Sequence, residues 1–342
     1  MSEGNAKPRV FLTRAIVNTA MQALDRETRL DVWRQELPPP KAVLTEAATR
    51  SHGLLTLLTD SIDSDVLTGS DKLLVVSNMA TGFDNVDVKT ASQNRILVTR
   101  TPGVLTKTTA DFAFALLLAA ARRITEADRH VRSGRWRTWE PQALLGRDVF
   151  GGTLGIVGLG QIGLAVAKRA RGFGMRVLYY SRSRKPALEK RWRLTWVGLD
   201  ELLEQADFVS LHAPLTPETQ HLIGKRELDL MRPEAILINT TRGGLLDQRA
   251  LYEALRDKRI AGAALDVTEV EPISGNDQLL RLENVIITPH IGSASVETRT
   301  RMALLAVDNL LTALRGYMPR QTVNPEIAQP WRKAYKARIA LP

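Results

Sequence analysis

The chain has 342 residues, 44% of them hydrophobic and 25% charged, which is ordinary globular usage and enough apolar material for two packed cores. It holds no cysteine, so a disulfide framework and a thiolate metal site are excluded, and no metal is expected; the absence fits a reducing, cytoplasmic setting. A net charge of +10 favours anionic partners: a phosphorylated cofactor, a carboxylate substrate, nucleic acid or a membrane surface.

The opening stretch MSEGNAKPRVFLTR lacks the apolar core of a signal peptide. The longest apolar run, Phe112 to Ala121, is flanked by Asp111 and by Arg122 and Arg123, and falls short of the roughly twenty residues a membrane helix needs. Residues 9–13, 54–58, 73–77 and 96–99 read as buried strands, short and rich in Leu and β-branched residues. Helical stretches and a Pro38-Pro39-Pro40 loop separate them, and that alternation predicts a parallel sheet. Thr101-Pro102-Gly103 is a break, after which 108–135 reads as one long buried helix, apolar almost all round. A second break lies around Gly146 to Gly152. Strands follow at 154–157, 176–180, 208–211, 236–239, 263–265 and 285–288, alternating with helices. Residues 295–315 read as a helix with Met302, Leu305, Leu310 and Leu314 near one face. Beyond about Asn324, Pro325, Pro330 and Pro342 among basic residues predict an irregular tail.

The strongest motif is Thr153-Leu-Gly-Ile-Val-Gly158-Leu159-Gly160-Gln161-Ile162-Gly163, an apolar strand entering G-x-G-x-x-G ahead of an amphipathic stretch. With a second strand at 176–180, it predicts a dinucleotide-binding β-α-β unit. Gly158 permits the tight turn, Gly160 lets a pyrophosphate approach the backbone, and Gly163 lets helix and strand pack closely. The helix N-terminus offers unpaired N–H groups to phosphate. The second strand runs into Ser181-Arg182-Ser183-Arg184-Lys185, with no acid where one would hold the ribose hydroxyls of NAD. Hydroxyls and guanidinium groups there favour the 2′-phosphate of NADP over NAD.

Three residues at predicted strand ends carry the chemistry. His290, one of five histidines with His52, His130, His212 and His221, lies in Thr288-Pro-His-Ile-Gly292. Such strand ends are where open α/β sheets bind ligands. A carboxylate beside an imidazole favours its proton-donating form, and Glu271 in Glu269-Val-Glu-Pro272 is the predicted partner. Arg242, in Asn239-Thr240-Thr241-Arg242-Gly243, offers a fork that matches a carboxylate. Together they suit hydride and proton addition to a 2-keto acid. Asp266, just past a buried strand, is a cap or a ligand for the nicotinamide carboxamide.

These segments, in this order, resemble the D-isomer-specific 2-hydroxyacid dehydrogenase family. So do Gly82-Phe-Asp-Asn-Val-Asp-Val88 and Pro102-Gly-Val-Leu-Thr-x-x-Thr-Ala-Asp111, and the likeness runs from about residue 8 to 324. Phe11-Leu-Thr-Arg14, Val131-Arg-Ser-Gly-x-Trp136 and Tyr179-Tyr-Ser-Arg-x-Arg-Lys185 are similar to its glyoxylate/hydroxypyruvate reductase subgroup. The resemblance implies two Rossmann-like, doubly wound α/β domains. A dinucleotide domain, 104–292, is inserted in a discontinuous substrate domain, 1–103 with 293–330, and a basic tail covers 331–342. It implies a homodimer that reduces small 2-keto acids, glyoxylate or hydroxypyruvate, with no membrane or nucleic-acid partner. His290 becomes the proton donor, Glu271 its tuner and Arg242 the carboxylate anchor, joined by backbone N–H groups at Ala80, Thr81 and Gly82. Leu159, Gln161 and Ile162 with the three glycines hold the pyrophosphate, and Ser181, Arg182 and Ser183 the adenosine side. Thr109, Thr240, Thr241, Asp266 and Gly292 complete the cofactor set.

Thr268, Thr241 and Phe83 depart from the more usual aromatic, Ala or Ser, and Tyr, which bears on substrate size rather than reaction type. Phosphite dehydrogenases carry Lys where this chain has Thr81, phosphoglycerate dehydrogenases often carry an extra C-terminal domain, and formate dehydrogenases replace the glutamate of the His pair. A non-catalytic, dinucleotide-binding corepressor is the alternative of another class, kept open by the basic charge.

Overall fold

The protein is described from a computed structural model covering residues 7–339; residues 1–6 and 340–342, the latter including the tail's Pro342, lie outside the described residues. The chain forms two compact units, one built from the chain up to Leu105 and from Ser295 onward, the other from Thr106–Ala294. In the first unit the order is β1 (Arg9–Leu12), α1 (Asn18–Glu27), β2 (Arg29–Val32), α2 (Lys41–Arg50), β3 (Gly53–Thr56), α3 (Ser64–Leu67), β4 (Val75–Asn78), α4 (Val88–Gln93) and β5 (Leu97–Thr99). The strands form a parallel sheet in the order β2-β1-β3-β4-β5.

The second unit begins with α5 (Thr106–Ala121) and α6 (Ile124–Arg132), then β6 (Thr153–Val157), α7 (Gln161–Ala170), β7 (Arg176–Tyr180), α8 (Pro186–Trp192), β8 (Leu194–Trp196) and α9 (Leu199–Gln205). It continues with β9 (Phe208–Leu211), α10 (Lys225–Leu230), β10 (Ile236–Asn239), α11 (Gln248–Arg256), β11 (Gly262–Leu265) and β12 (Val285–Ile287). Its seven strands are all parallel, ordered β12-β11-β10-β9-β6-β7-β8. Alternate residues of each strand feed opposite cores, as a two-period backbone requires. Leu237, Val209 and Leu265 lie in one cluster with Leu202 and Leu251. Ile236, Ile238 and Ile156 lie in the other with Phe114 and Val166. Both faces are covered, which is why these strands read as continuous apolar runs.

The long helix expected over 108–135 is two helices. Arg123 takes a left-handed conformation, φ 52°. The last turn of α5 is closed from outside: Arg147 N donates to Ala121 O at 2.8 Å, and a Cβ on Gly146 would lie 2.3 Å from that same oxygen. The capture of that terminal carbonyl is a tertiary event that the apolar pattern does not carry. Two strands the pattern does not reveal, β2 and β8, are short sheet edges, β2 with Arg29 and Asp31 in its four residues.

The chain returns to the first unit as α12 (Val296–Leu314) and α13 (Ala328–Arg338). The irregular, basic tail expected from the prolines is corrected by α13. Pro330 is the third residue of that helix, where no intrahelical hydrogen bond is needed from its nitrogen, so it starts the helix rather than breaking it. Trp331 is fully buried and its Nε1 donates to Leu74 O at 3.0 Å, while Arg338 donates to Leu73 O at 2.8 Å. Among the described residues no helix is long and apolar enough to cross a membrane.

Candidate active site

In the second unit the chain reverses winding between β6 and β9, and the carboxyl ends of the strands flanking that point form one sheet edge. The glycine turn follows β6. Gly158 has φ +100°, and a Cβ there would lie 2.5 Å from Ala213 N; one on Gly163 would lie 2.3 Å from Gly158 O. Both positions therefore require glycine for the turn itself. Gly160 differs: nothing lies within 4 Å of its Cβ position, so the backbone is bare where a pyrophosphate would approach. Gly160 also caps α7 without any side-chain hydrogen bond, and Gln161 and Ile162 open that ten-residue helix. Leu159 is buried, and its carbonyl accepts from Lys185 Nζ at 2.6 Å, which brings a cation to the phosphate turn. The sequence reading missed Lys185, although it stands five residues past the end of β7.

At the end of β7, Ser181 Oγ donates to Ser183 O at 2.7 Å and Arg182 is exposed. Arg184 is committed elsewhere, gripping Glu189 with Nε and Nη2 at 2.8–3.0 Å. Tyr179 Oη donates to the same carboxylate at 2.7 Å; burial, then that carboxylate, pushes the Tyr179 hydroxyl up to about 12.

After β9 comes His212, whose Nε2 meets Ser210 Oγ at 2.8 Å and whose Nδ1 is buried with no hydrogen-bond partner among the described residues. Burial lowers this imidazole to about 4, so it is neutral near pH 7. After β10, Thr240 Oγ1 is likewise buried without a partner. Asn239, wholly buried, fixes the next turn: its Nδ2 donates to Arg242 O at 2.9 Å, and its Oδ1 accepts from Thr241 N and Oγ1 at 3.1 and 2.9 Å. Arg242 is half-buried and donates to Thr241 O at 2.8 Å. The motif contains Asn239, and its role is visible only in these bonds.

Asp266, 1% exposed after β11, organises the histidine turn. Its carboxylate accepts from Thr288 Oγ1 (2.7 Å), Ile291 N (2.8 Å) and Gly292 N (2.7 Å), and its carbonyl accepts from His290 N at 2.9 Å. His290 is thereby held at φ 55°. A Cβ on Gly292 would lie 3.0 Å from Asp266 Oδ2 and 3.5 Å from Thr109 Cγ2, so Thr109, Asp266 and Gly292 meet. His290 Nδ1 lies 2.8 Å from Glu271 Oε2, and Glu271 Oε1 accepts from Thr268 N at 3.2 Å. Among the described residues His290 Nε2 makes no hydrogen bond, so it is the nitrogen open to a ligand. Arg242 stands one strand away from Asp266, and a Cβ on its neighbour Gly243 would lie 1.9 Å from Thr268 O.

Ala80, Thr81 and Gly82 follow β4 in the first unit. Ala80 N donates to Asn78 O at 2.8 Å, whereas Thr81 N–H and Gly82 N–H have no acceptor among the described residues. The Arg100 guanidinium lies over the Phe83 ring, 5.6 Å from its centroid.

The bare Gly160 backbone, the open helix N-terminus and two orphaned buried atoms at neighbouring strand ends together fit a dinucleotide: buried polar groups without partners are unfavourable until something meets them. Comparison with known proteins agrees. Residues 114–292 match the model of the D-isomer specific 2-hydroxyacid dehydrogenase, NAD binding domain. The chain is 53% identical over 324 residues, 94% of its length and 98% of the relative's, to a glyoxylate reductase of Korarchaeum cryptofilum. It is 48% identical over 325 residues, with the same coverage, to that of Thermococcus litoralis. Among solved structures, a Thermus thermophilus protein superposes with TM-score 0.87 at 46% identity, covering 92% of this chain and 99% of that one. An NADPH-dependent glyoxylate/hydroxypyruvate reductase of Sinorhizobium meliloti, solved with NADP and malonate, gives TM-score 0.81 at 32% identity, covering 93% and 97%.

Proposed function

Because the chain belongs to the D-isomer specific 2-hydroxyacid dehydrogenase family, and is an oxidoreductase acting on CH–OH donors with a nicotinamide dinucleotide, we propose that it reduces glyoxylate or hydroxypyruvate to glycolate or D-glycerate, preferring NADPH. The observation that carries this reading is the 2.8 Å contact between His290 Nδ1 and Glu271 Oε2 on the sheet edge that also bears the glycine turn.

A nicotinamide held at this sheet edge would supply the hydride that C2 of the keto acid receives. His290, as imidazolium, gives the proton on Nε2 to the keto oxygen. Glu271 fixes the ring through Nδ1, so the donating nitrogen is the other one. Arg242 pairs with the substrate carboxylate. The Gly158-to-Gly163 turn with Gln161 and Ile162 holds the pyrophosphate, and Thr109, Thr240, Thr241, Asp266 and Gly292 line the nicotinamide side. Ser181, Arg182 and Ser183 would take the 2′-phosphate, because the segment 181–185 contains no acid; Arg184 is already held by Glu189.

We read the enzyme as a cytoplasmic homodimer. Trp136, Trp139 and Phe150 are 64%, 79% and 79% exposed within one stretch of the second unit, which suits a surface covered by a second copy.

The test is initial rates on a panel of 2-keto acids, each with NADH and NADPH, for the wild type and two variants. His290→Ala should lower kcat by about 10²–10⁴-fold. Arg242→Ala should also raise KM for the keto acid. Near-wild-type turnover by the His290 variant would remove the basis of the reading.

A further inference from the structure

The loop that carries Glu271 grips a second histidine. His221 Nε2 lies 2.7 Å from Glu269 Oε1, two residues before Glu271. Like His290, His221 has a positive φ, 50°, a left-handed conformation uncommon outside glycine. The surroundings are specific. His221 N donates to Gly244 O at 2.8 Å, and Ile223 N to Leu245 O at 3.0 Å, which lays this segment along the turn after Arg242. Gly243 packs against the carbonyl of Thr268 so closely that a Cβ there would lie 1.9 Å from that oxygen. Glu269 N donates to Gln248 Oε1 at 3.0 Å, and Gln248 Nε2 in turn donates to Asp277 Oδ2 at 2.8 Å. Three segments are thus interlaced, and two of them bear Arg242 and Glu271.

The pair is poorly placed to serve stability. The side chains of His221 and Glu269 are 42% and 37% exposed, and ion pairs so open to water contribute little to folding. What the contact does fix is position. Val270, between the two glutamates, is 72% exposed and lends the loop little packing of its own. Glu271 spans Thr268 N and His290 Nδ1, so a loop free to shift by a few tenths of an ångström would carry the imidazole with it. Proton transfer is sensitive to displacements of that size.

We propose that His221 and Glu269 are positioning residues, a clasp outside the reacting atoms that holds the Thr268-to-Glu271 loop so that Glu271 orients His290. The proposal rests on His290 and Glu271 being the acid pair of the reaction. Glu269→Ala and His221→Ala should each lower kcat for keto-acid reduction by about 5–20-fold, with KM for NADPH held within about twofold. The melting temperature should barely move. The double variant should be no worse than either single one, because the two act as a unit. Glu269→Gln keeps an oxygen that accepts from the imidazole N–H and should retain most of the activity.

The measurement is steady-state kinetics of these four variants and of Glu271→Gln. Single variants within twofold of wild type, additive losses in the double variant, or a Glu269→Gln as damaged as the Ala variant would each overturn the clasp. If Glu271→Gln loses activity while Glu269→Ala keeps it, the clasp alone falls. If Glu271→Gln turns over like wild type, the acid-pair reading falls and the clasp with it.

Discussion

The glycine turn offers one substitution at two positions with opposite consequences. In Gly160→Ala the new methyl enters open space, with nothing within 4 Å, and the residue's φ of −79° suits any side chain. Folding should change by less than about 1 kcal/mol, since a stiffer unfolded chain offsets the poorer N-cap that Ala makes. The same methyl occupies the approach of the pyrophosphate, so the dissociation constant for NADPH should rise about 10–100-fold, or about 1.4–2.8 kcal/mol. In Gly158→Ala the methyl meets Ala213 N at 2.5 Å and the His212 carbonyl group at 2.6–2.7 Å, all backbone, at φ +100°. Left-handed strain of about 1–2 kcal/mol and overpacking of about 1–3 kcal/mol add to roughly 2–5 kcal/mol. For a unit of this size that lowers the melting temperature by on the order of 10 °C. Thermal unfolding by circular dichroism reads the first quantity and nucleotide fluorescence titration the second. Gly160→Ala binding NADPH as wild type does, or Gly158→Ala melting with the wild type, would refute the assignment of the turn.

His212 makes stability depend on pH. Its folded value of about 4 lies below the roughly 6.5 of an unfolded imidazole, so the unfolded chain binds the extra proton first as pH falls. Its neutral burial therefore carries no penalty above about pH 6.5 and costs about 2 kcal/mol at pH 5; urea unfolding at pH 7.5 and pH 5 should show that difference, and His212→Gln should remove it. Trp331→Ala should destabilise the first unit by about 3–5 kcal/mol, since it empties a fully buried site and leaves Leu74 O without its indole donor, whereas an irregular tail would tolerate the change in a thermal melt. Trp139→Glu should shift the particle from dimer to monomer in light scattering behind a sizing column; a wild type that is already monomeric would discard the surface assignment.

Strands β7, β9 and β10 were legible to the residue because each is a short apolar run buried on both faces of a parallel sheet. Their ends carried the site for the same reason: parallel strands deliver every following loop to one edge, so motifs far apart in sequence meet there. His290 and Glu271, nineteen residues apart, are a case in which the pairing expected from strand ends is met by a 2.8 Å contact. What stayed hidden depends on partners distant in sequence. The end of α5 is decided by Arg147, and the start of α13 by the pocket that receives Trp331. In the sequence Lys185, one lysine in a basic stretch, reads as solvated; only the fold places Leu159 O within its reach. Asn239 lies within a motif, yet its three bonds to the Arg242 turn are visible only in three dimensions.

The net charge has a location. Residues 168–193 contain ten lysines and arginines against one acid, Glu189, and so carry nine of the ten net positive charges of the whole chain. They divide between the two edges of the sheet: Arg182, Arg184 and Lys185 follow the carboxyl end of β7, whereas Lys168, Arg169 and Arg171 near the end of α7, and Arg176 at the start of β7, lie toward the other edge. Several of these cations are held by partners. Lys168, Arg171 and Arg191 stand over the Trp192 ring at 4.4, 5.6 and 5.4 Å, Arg169 meets Asp111, and Arg184 meets Glu189. At about 1.5 Å per helical residue Lys168 stands about 12 Å along the axis from Gly160, beyond the screening length of about 8 Å in physiological salt, so only the cations that follow β7 act strongly on an anion at that turn. The basic composition, which by itself left several anionic partners open, thus sets only Arg182, Arg184 and Lys185 beside the carboxyl edge, and of these Lys185 reaches the glycine turn through Leu159 O.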